Sequence, residues 1–421
     1  MGIEFQKKRL ENGLTVVAER HPSVRSLSAG VWVNVGSALD PKPQAGISHF
    51  IEHMVFKGTK RRNPLEIAVA LESRGGELNA FTDRENTCFH AYSLSEDLPL
   101  VLDVLSDLTL SPTFPEDQLE KERHVLLQEL AQIEDDPNDI LGDLFFEMIW
   151  GTHPMGRPII GSRKTIKAIG TKDLWSFYSK HYRPESLVLS VAGNFEFPAL
   201  FELVEKYFSS PATTSHVKPA VRKPLKFQPE KKRKKFSSDQ AHLMLGFESV
   251  GFRDPARFDG LILSFFLGGG MSSRLFQEVR EKAGLAYSVD CDYIPYADSG
   301  VFTIHSALHP KSVKKCTEII AIELKRLMDA PLSEKQLDVV KGQLRGTILL
   351  GADQMEVRQE SLGRNEVVFG RYVSVEEVIR EVEGVTPERV QQFAKNTFHK
   401  KKEAVLLLGN LSGVPSKISV A

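Results

Sequence analysis

Two histidines and a glutamate fall within one short stretch, His49-Phe50-Ile51-Glu52-His53. The apolar pattern over residues 44–57 predicts a helix entered from the turn at Pro41 and Pro43. On a helix, positions i, i+3 and i+4 share one face. Both imidazoles can then chelate a single ion, and Glu52 stands where it can reach a water beside that ion. Neutral imidazole suits zinc, and a catalytic zinc takes three protein ligands and keeps one position open. The third ligand must come from elsewhere. A helix predicted over residues 115–132 carries Glu116, Glu120, Glu122 and Glu129. Glu122 and Glu129 are two turns apart, on one face, near Leu119, Val125, Leu126 and Leu130. A carboxylate buried there is costly unless a cation offsets it. Glu116 and Glu120 read as solvated. Spacing alone leaves Glu122 and Glu129 both open as the ligand.

The elements that must position these residues occur twice. Strand patterns at residues 28–35 and 242–247 are each followed by an apolar helix, over 44–57 and about 256–268. A short helix, a glycine and a strand follow in both halves, Leu71 to Ala80 and Glu281 to Tyr287. Proline-marked turns then open long helices at Pro115 and Ser333. Strands come in meanders rather than in strict alternation with helices. We therefore expect two homologous α+β domains, each a mostly antiparallel sheet with helices packed on one face. The expected boundaries are 1–210 and 237–421, with a Pro-, Ser/Thr- and Lys-rich linker over 211–236. Its run Lys231-Lys232-Arg233-Lys234-Lys235 reads as a solvated linker edge. In the second copy the region matching His49, Glu52 and His53 has neither His nor Glu, and Val340 and Thr347 match Glu122 and Glu129. A polar set kept in one copy only looks like a site.

Bulk properties narrow the function classes. A formal net charge of −1 supplies no global field for nucleic acid. Three cysteines, none near another in sequence, argue against a disulfide framework and for a reducing compartment. No stretch has the length and apolarity of a membrane span, and the first residues lack a signal-peptide pattern. The expectation is a cytoplasmic protein without a membrane span.

With these residues in view, the chain resembles the pitrilysin-type (inverzincin) metallopeptidases, M16, and within them the two-domain, processing-peptidase-like branch. The resemblance runs over roughly residues 8–410. Its motifs are His49 to Thr59 in the first helix, Glu120-Lys121-Glu122-Arg123 and Leu127-Gln128-Glu129-Leu130 in the long helix, and Gly268 to Arg280 with Gly284-Leu285-Ala286-Tyr287 in the second half. It implies a zinc endopeptidase with one Zn2+ per chain on His49, His53 and Glu129. Glu52 is then the general base, and Glu122 an assisting glutamate. Arg280 and Tyr287 become donors to the substrate carbonyl and its oxyanion, and Asn79-Ala80-Phe81 a strand that pairs with the substrate backbone. The resemblance further implies a peptide held in extended form inside a closed chamber, which one such chain completes as a homodimer. Some relatives are silent scaffold or peptide-binding subunits. That alternative calls for loss of the ligands, and none is lost here. His90 is read as a strand histidine outside the site. The Gly-rich stretch at 268–270 lacks the Gly-Lys-Ser/Thr of a phosphate loop.

Overall fold

The computed structural model describes residues 2–209 and 225–420. The first half runs β1 (Glu4–Arg9), β2 (Thr15–Arg20), β3 (Ser26–Val33), α1 (Ile47–Val55), α2 (Pro64–Glu72), β4 (Glu77–Thr82), β5 (Thr87–Leu94), α3 (Leu98–Leu110) and α4 (Glu116–Asp135), then α5 (Pro137–Trp150), α6 (Arg163–Ala168), α7 (Thr171–His181), β6 (Leu187–Gly193) and α8 (Phe197–Tyr207). The second runs β7 (Lys231–Lys235), β8 (Ala241–Ser249), α9 (Arg257–Gly268), a π-helix (Phe276–Lys282), β9 (Asp290–Pro295), β10 (Gly300–Leu308), α10 (Val313–Asp329), α11 (Glu334–Ala352), α12 (Met355–Phe369), α13 (Val375–Glu383), α14 (Pro387–Thr397) and β11 (Glu403–Gly409).

The strands form two sheets, ordered β1-β2-β6-β3-β5-β4 and β7-β11-β8-β10-β9. Five strands match one to one. In each sheet one parallel pair, β2 with β6 or β7 with β11, sits among antiparallel neighbours. The architecture is α+β, with one duplicated sheet plan.

The chain forms two compact units. Unit 1 comprises the described residues of Met1–Ala131, Arg157–Lys223 and Leu350–Val373, and unit 2 those of Gln132–Gly156, Pro224–Leu349 and Ser374–Ala421. These are not the expected spans 1–210 and 237–421. Helix α5 has been given to unit 2 and α12 to unit 1. Strand side chains alternate between faces, so each sheet has a second face to cover. In unit 1, Ala29, Val31, Leu189 and Val191 are fully buried on one face. Gly30, Trp32 and Ser190 lie on the other, under α12. A side chain at Gly30 would start 2.0 Å from Gln359 Nε2, and one at Gly363 would start 1.9 Å from Trp32 Nε1. Gln359 Nε2 donates to Ser190 Oγ at 2.7 Å. Arg358 donates to both oxygens of buried Glu19, at 2.8 and 2.6 Å, and the Tyr372 hydroxyl adds a bond at 2.7 Å. Burial opposes charge on Glu19, but His21, Arg358 and Tyr372 outweigh it and hold the carboxyl down at about 2. In unit 2, α5 covers the equivalent face with aromatics. Phe145 packs on Gly246, where a side chain would start 2.0 Å from the ring, and Phe146 stacks on Trp150 at 4.9 Å.

The expected linker needs correction in part. Residues 210–224 lie outside the described residues. The basic run is no linker edge but strand β7, paired with β11 in the register Val405↔Lys231. Its side chains are exposed. Backbone pairing, not apolar alternation, makes it a strand, and lysines on a free edge oppose further strand addition.

Candidate metal centre

Helix α1 is set by its entry. Gly46, at φ 96°, is the N-cap, and its N–H donates to Asp40 Oδ2 at 2.7 Å. Ser48 Oγ donates to Asp40 Oδ1 at 2.5 Å. Burial outweighs these bonds and pushes the Asp40 carboxyl up to about 7. A side chain at Gly46 would meet Ile160 O at 2.4 Å. The position therefore needs glycine for its backbone angle and for space. Ile47, Phe50, Ile51, Met54 and Val55 are fully buried. That leaves His49, Glu52 and His53 on the half-buried side. Helix α4 is held beside α1 by Arg123, whose guanidinium lies 5.6 Å from the centre of the Phe50 ring.

The structure brings His49, His53 and Glu129 together. His49 Nε2 is 3.6 Å from Glu129 Oε1, and His53 Nε2 is 3.6 Å from Glu129 Oε2. One donor atom from each of the three lies within 4.8 Å of the others, and these residues form the one such group among the described residues. The separations are too long for hydrogen bonds. They fit donors sharing an ion, since two ligands ~2.0 Å from a tetrahedral zinc stand about 3.3 Å apart. Two imidazole nitrogens and a carboxylate are also a donor set that zinc accepts. The residues present therefore fit the metal.

The surrounding groups prepare that set. His53 Nδ1 donates to Glu122 Oε1 at 2.9 Å, which leaves the Nε2 lone pair facing Glu129. Lys57 Nζ meets Glu122 Oε2 at 2.8 Å. Burial raises the Glu122 carboxyl, yet His53 and Lys57 outweigh it and hold it below the usual range. Burial, seconded by His53, pushes His49 down to about 3 and keeps its ring neutral. Its buried Nδ1 has no hydrogen-bond partner. Burial acts downward on His53 too, but the Glu122 bond and the charges of Glu129 and Glu52 carry it upward. Burial raises Glu52 and Glu129.

Glu52 lies beside the group, with Oε2 accepting from Thr82 Oγ1 at 2.5 Å. Thr82 ends strand β4, the outermost strand of its sheet. Asn79 and Ala80 pair with His90 and Phe89 of β5. The Ala80 N–H is held by the Asn79 side chain, Oδ1, at 2.8 Å. His90 is a strand residue opposite Asn79 and Gly30.

Arg280 and Tyr287 lie in unit 2 and meet each other. The Arg280 guanidinium is 4.7 Å from the centre of the Tyr287 ring, and 4.6 Å from that of Phe276. The strand expected up to Tyr287 is absent. The π-helix ends in a turn at Gly284, at φ 61°, and only Ala286 makes an isolated bridge, to Leu308. Tyr287 is no packed strand residue but 81% exposed.

Three positioning residues escaped the sequence reading. Lys57 lies one turn beyond His53, so helical spacing could have signalled it. Thr82 reaches Glu52 across thirty positions, and Asp40 acts from a turn. Neither leaves a local signal.

Comparison with known proteins adds the family. The model for insulinase, peptidase family M16, matches residues 15–163, and that for the peptidase M16 inactive domain matches 168–344. The chain is 38% identical to an uncharacterized zinc protease of Mycobacterium leprae, covering 94% of this chain and 90% of that one. It is 36% identical to an uncharacterized zinc protease of Bacillus subtilis, covering 96% and 98%. A protease from Helicobacter pylori shares the fold, with TM-score 0.91 at 22% identity over 97% of this chain and 99% of that one. The group of His49, His53 and Glu129 falls within the first matched stretch, and with whole-length likeness to named zinc proteases the chain belongs to peptidase family M16.

Proposed function

We propose that this chain is a zinc-dependent endopeptidase that cleaves peptides bound in extended form. The observation that carries the reading is the convergence of His49, His53 and Glu129, with Glu52 beside them on the same helix face. His49, His53 and Glu129 would hold one zinc per chain. Zinc held there supplies Lewis acidity toward a peptide carbonyl and toward water. Glu52 takes a proton from the attacking water and passes it to the leaving nitrogen. The Thr82 hydroxyl holds Glu52 Oε2, so Oε1 is the oxygen left for this exchange. Burial raises the Glu52 pKa, which makes its carboxylate a stronger proton acceptor. Glu122, anchored by Lys57, fixes the tautomer and orientation of His53.

The substrate backbone pairs with the open side of β4 at Asn79, Ala80 and Phe81, a mode that selects extended chains with little side-chain preference. The Ala80 N–H donates to the Asn79 side chain, which a substrate carbonyl would displace. Arg280 and Tyr287 act as donors to a substrate carbonyl and to the oxyanion that develops from it. A homodimer that closes around the peptide and a cytoplasmic location belong to the same reading. The latter is supported by three cysteines that are all free and buried. Among the described residues no helix is long and apolar enough to cross a membrane. Metal analysis of the purified protein together with digestion of a peptide library tests the proposal. About one zinc per chain and internal cleavage of peptides are expected. A zinc-loaded protein that cuts nothing, or trims only from the ends, overturns it.

A further inference from the structure

Strand β7 takes no part in the proposed chemistry, yet it is an open edge. It is the outermost strand of the unit 2 sheet, and all five of its side chains are exposed. The Val405 N–H donates to Glu230 O at 2.9 Å, and the Phe236 N–H donates to Gly409 O at 3.2 Å. The N–H and C=O of one strand residue point to the same side, and that side alternates along the strand. Lys232 and Lys234 therefore face β11, while Lys231, Arg233 and Lys235 turn their main-chain groups outward. Among the described residues nothing bonds to those three N–H and three C=O groups.

The charges decide what such an edge accepts. Lys231 pairs with Glu403 at 2.5 Å, and Lys232 with Glu230 at 3.3 Å. Arg233, Lys234 and Lys235 form no ion pair among the described residues. Arg233 donates instead to Val414 O, at 3.1 Å, and to Pro415 O. Alongside is a cavity of about 670 Å3 lined by Lys231, Lys232, Arg233, Lys400 and Lys417, and by no acidic side chain. A second copy of β7 would set like charges opposite one another, which is destabilising. A neutral strand would gain nothing from the cations. A polyanion without a peptide backbone would use the cations and leave the edge bare. An acidic strand answers both.

We propose that the outer edge of β7 takes up an acidic, extended segment of a partner polypeptide as a sixth strand of the unit 2 sheet. The main chain of that segment pairs with Lys231, Arg233 and Lys235. Its carboxylates lie opposite Arg233 and Lys235 on one face and opposite Lys234 on the other. Strand β4, the edge proposed for substrate, carries Glu77 and no cation, so acidic segments are directed to β7. The inference holds whether or not the chain cleaves peptides.

A labelled nonapeptide alternating glutamate and threonine is titrated into the zinc-loaded Glu52→Gln chain, and anisotropy is followed. One control peptide has glutamine in place of glutamate, and the other is methylated at every main-chain nitrogen. The acidic peptide is expected to bind about 10-fold or more tightly than either, because opposed charge pairs and main-chain bonds both contribute. The double variant Lys234→Glu with Lys235→Glu should bring it down to the affinity of the glutamine peptide. Both side chains are exposed, and an unchanged melting temperature shows that the fold is kept. No binding, or equal affinity for the acidic and glutamine peptides, overturns the proposal, as does wild-type affinity in the double variant. So does equal binding of the methylated peptide, or tighter binding of single-stranded DNA or phosphatidylglycerol vesicles, because charge alone is then recognised.

Discussion

In unit 1 the helix pair α1 and α4 brings His49, Glu52, His53, Glu122 and Glu129 to one place. In unit 2 the counterpart pair α9 and α11 lines a cavity with Phe265, Phe266, Val339 and Val340. The sheets beneath follow the same strand order. The difference teaches that the polar set is a block. Lys57 holds Glu122, Glu122 holds His53, and His53 and His49 both face Glu129. Loss of one member leaves another buried and unpaired, which costs more than replacing the whole with apolar residues. Unit 2 has the replaced version.

The sharpest way to break this comparison is to make unit 1 resemble unit 2 at a ligand. His49→Ala, His53→Ala or Glu129→Ala should each lose zinc and with it peptide hydrolysis. Full zinc occupancy in all three variants, measured by atomic emission, would show that the ligands lie elsewhere. Next comes Glu52→Gln, which keeps shape but cannot take a proton. Zinc should stay bound while turnover falls at least ~100-fold. Near-normal rates in the zinc-loaded variant rule out Glu52 as the base.

Tyr287→Phe asks whether unit 2 takes part in the chemistry. A fall in kcat of about 10-fold to 1000-fold, with zinc content unchanged, is expected from loss of one donor. Unchanged kinetics would make unit 2 a scaffold. Glu122→Gln tests the support of His53. Zinc affinity should weaken about 10-fold, at the lower end of the effect of an outer-shell partner. Competition with a chelator reads this out, and an unaltered affinity removes Glu122 from the site.

The smallest expected effect at neutral pH concerns how each sheet keeps its exchanged helix. Unit 1 uses Glu19 with Arg358, and unit 2 uses aromatics. The Glu19 pKa is lowered from 4.5 to about 2 in the fold. Its contribution is therefore complete above pH ~4.5 and is lost as pH falls toward ~2. A paired replacement, Glu19→Leu with Arg358→Met, should leave neutral-pH stability within about 2 kcal/mol of the wild type. It should also flatten the acid limb of the unfolding curve. An acid limb identical in the two proteins shows that this carboxylate does not set it.

Much of this was legible in the sequence because amphipathic periodicity reports directly on burial. The pattern around His49 places α1 within a few residues of its observed start, and the twofold recurrence of elements matches the duplicated sheet plan. Glu122 and Glu129 sharing a face follows from helical spacing alone. What escaped depends on contacts between distant positions or on backbone pairing. Strand β7 consists entirely of charged residues and pairs through its main chain. The π-helix at Phe276–Lys282 differs from an α-helix in bonding each residue one position further along, which no local pattern announces. The exchange of α5 and α12 is invisible because an apolar helix face does not say which sheet it will cover.

That exchange has a consequence for biosynthesis. Domains made in order usually fold in order, the first while the second is still being translated. Here the first sheet has one bare face until α12, ending at Phe369, has left the ribosome. Trp32 must wait for Gly363, and Glu19 for Arg358. The nascent chain therefore carries an uncovered apolar surface through most of its synthesis. A chain stopped at residue 210 should bind chaperones and aggregate, although it contains every proposed zinc ligand.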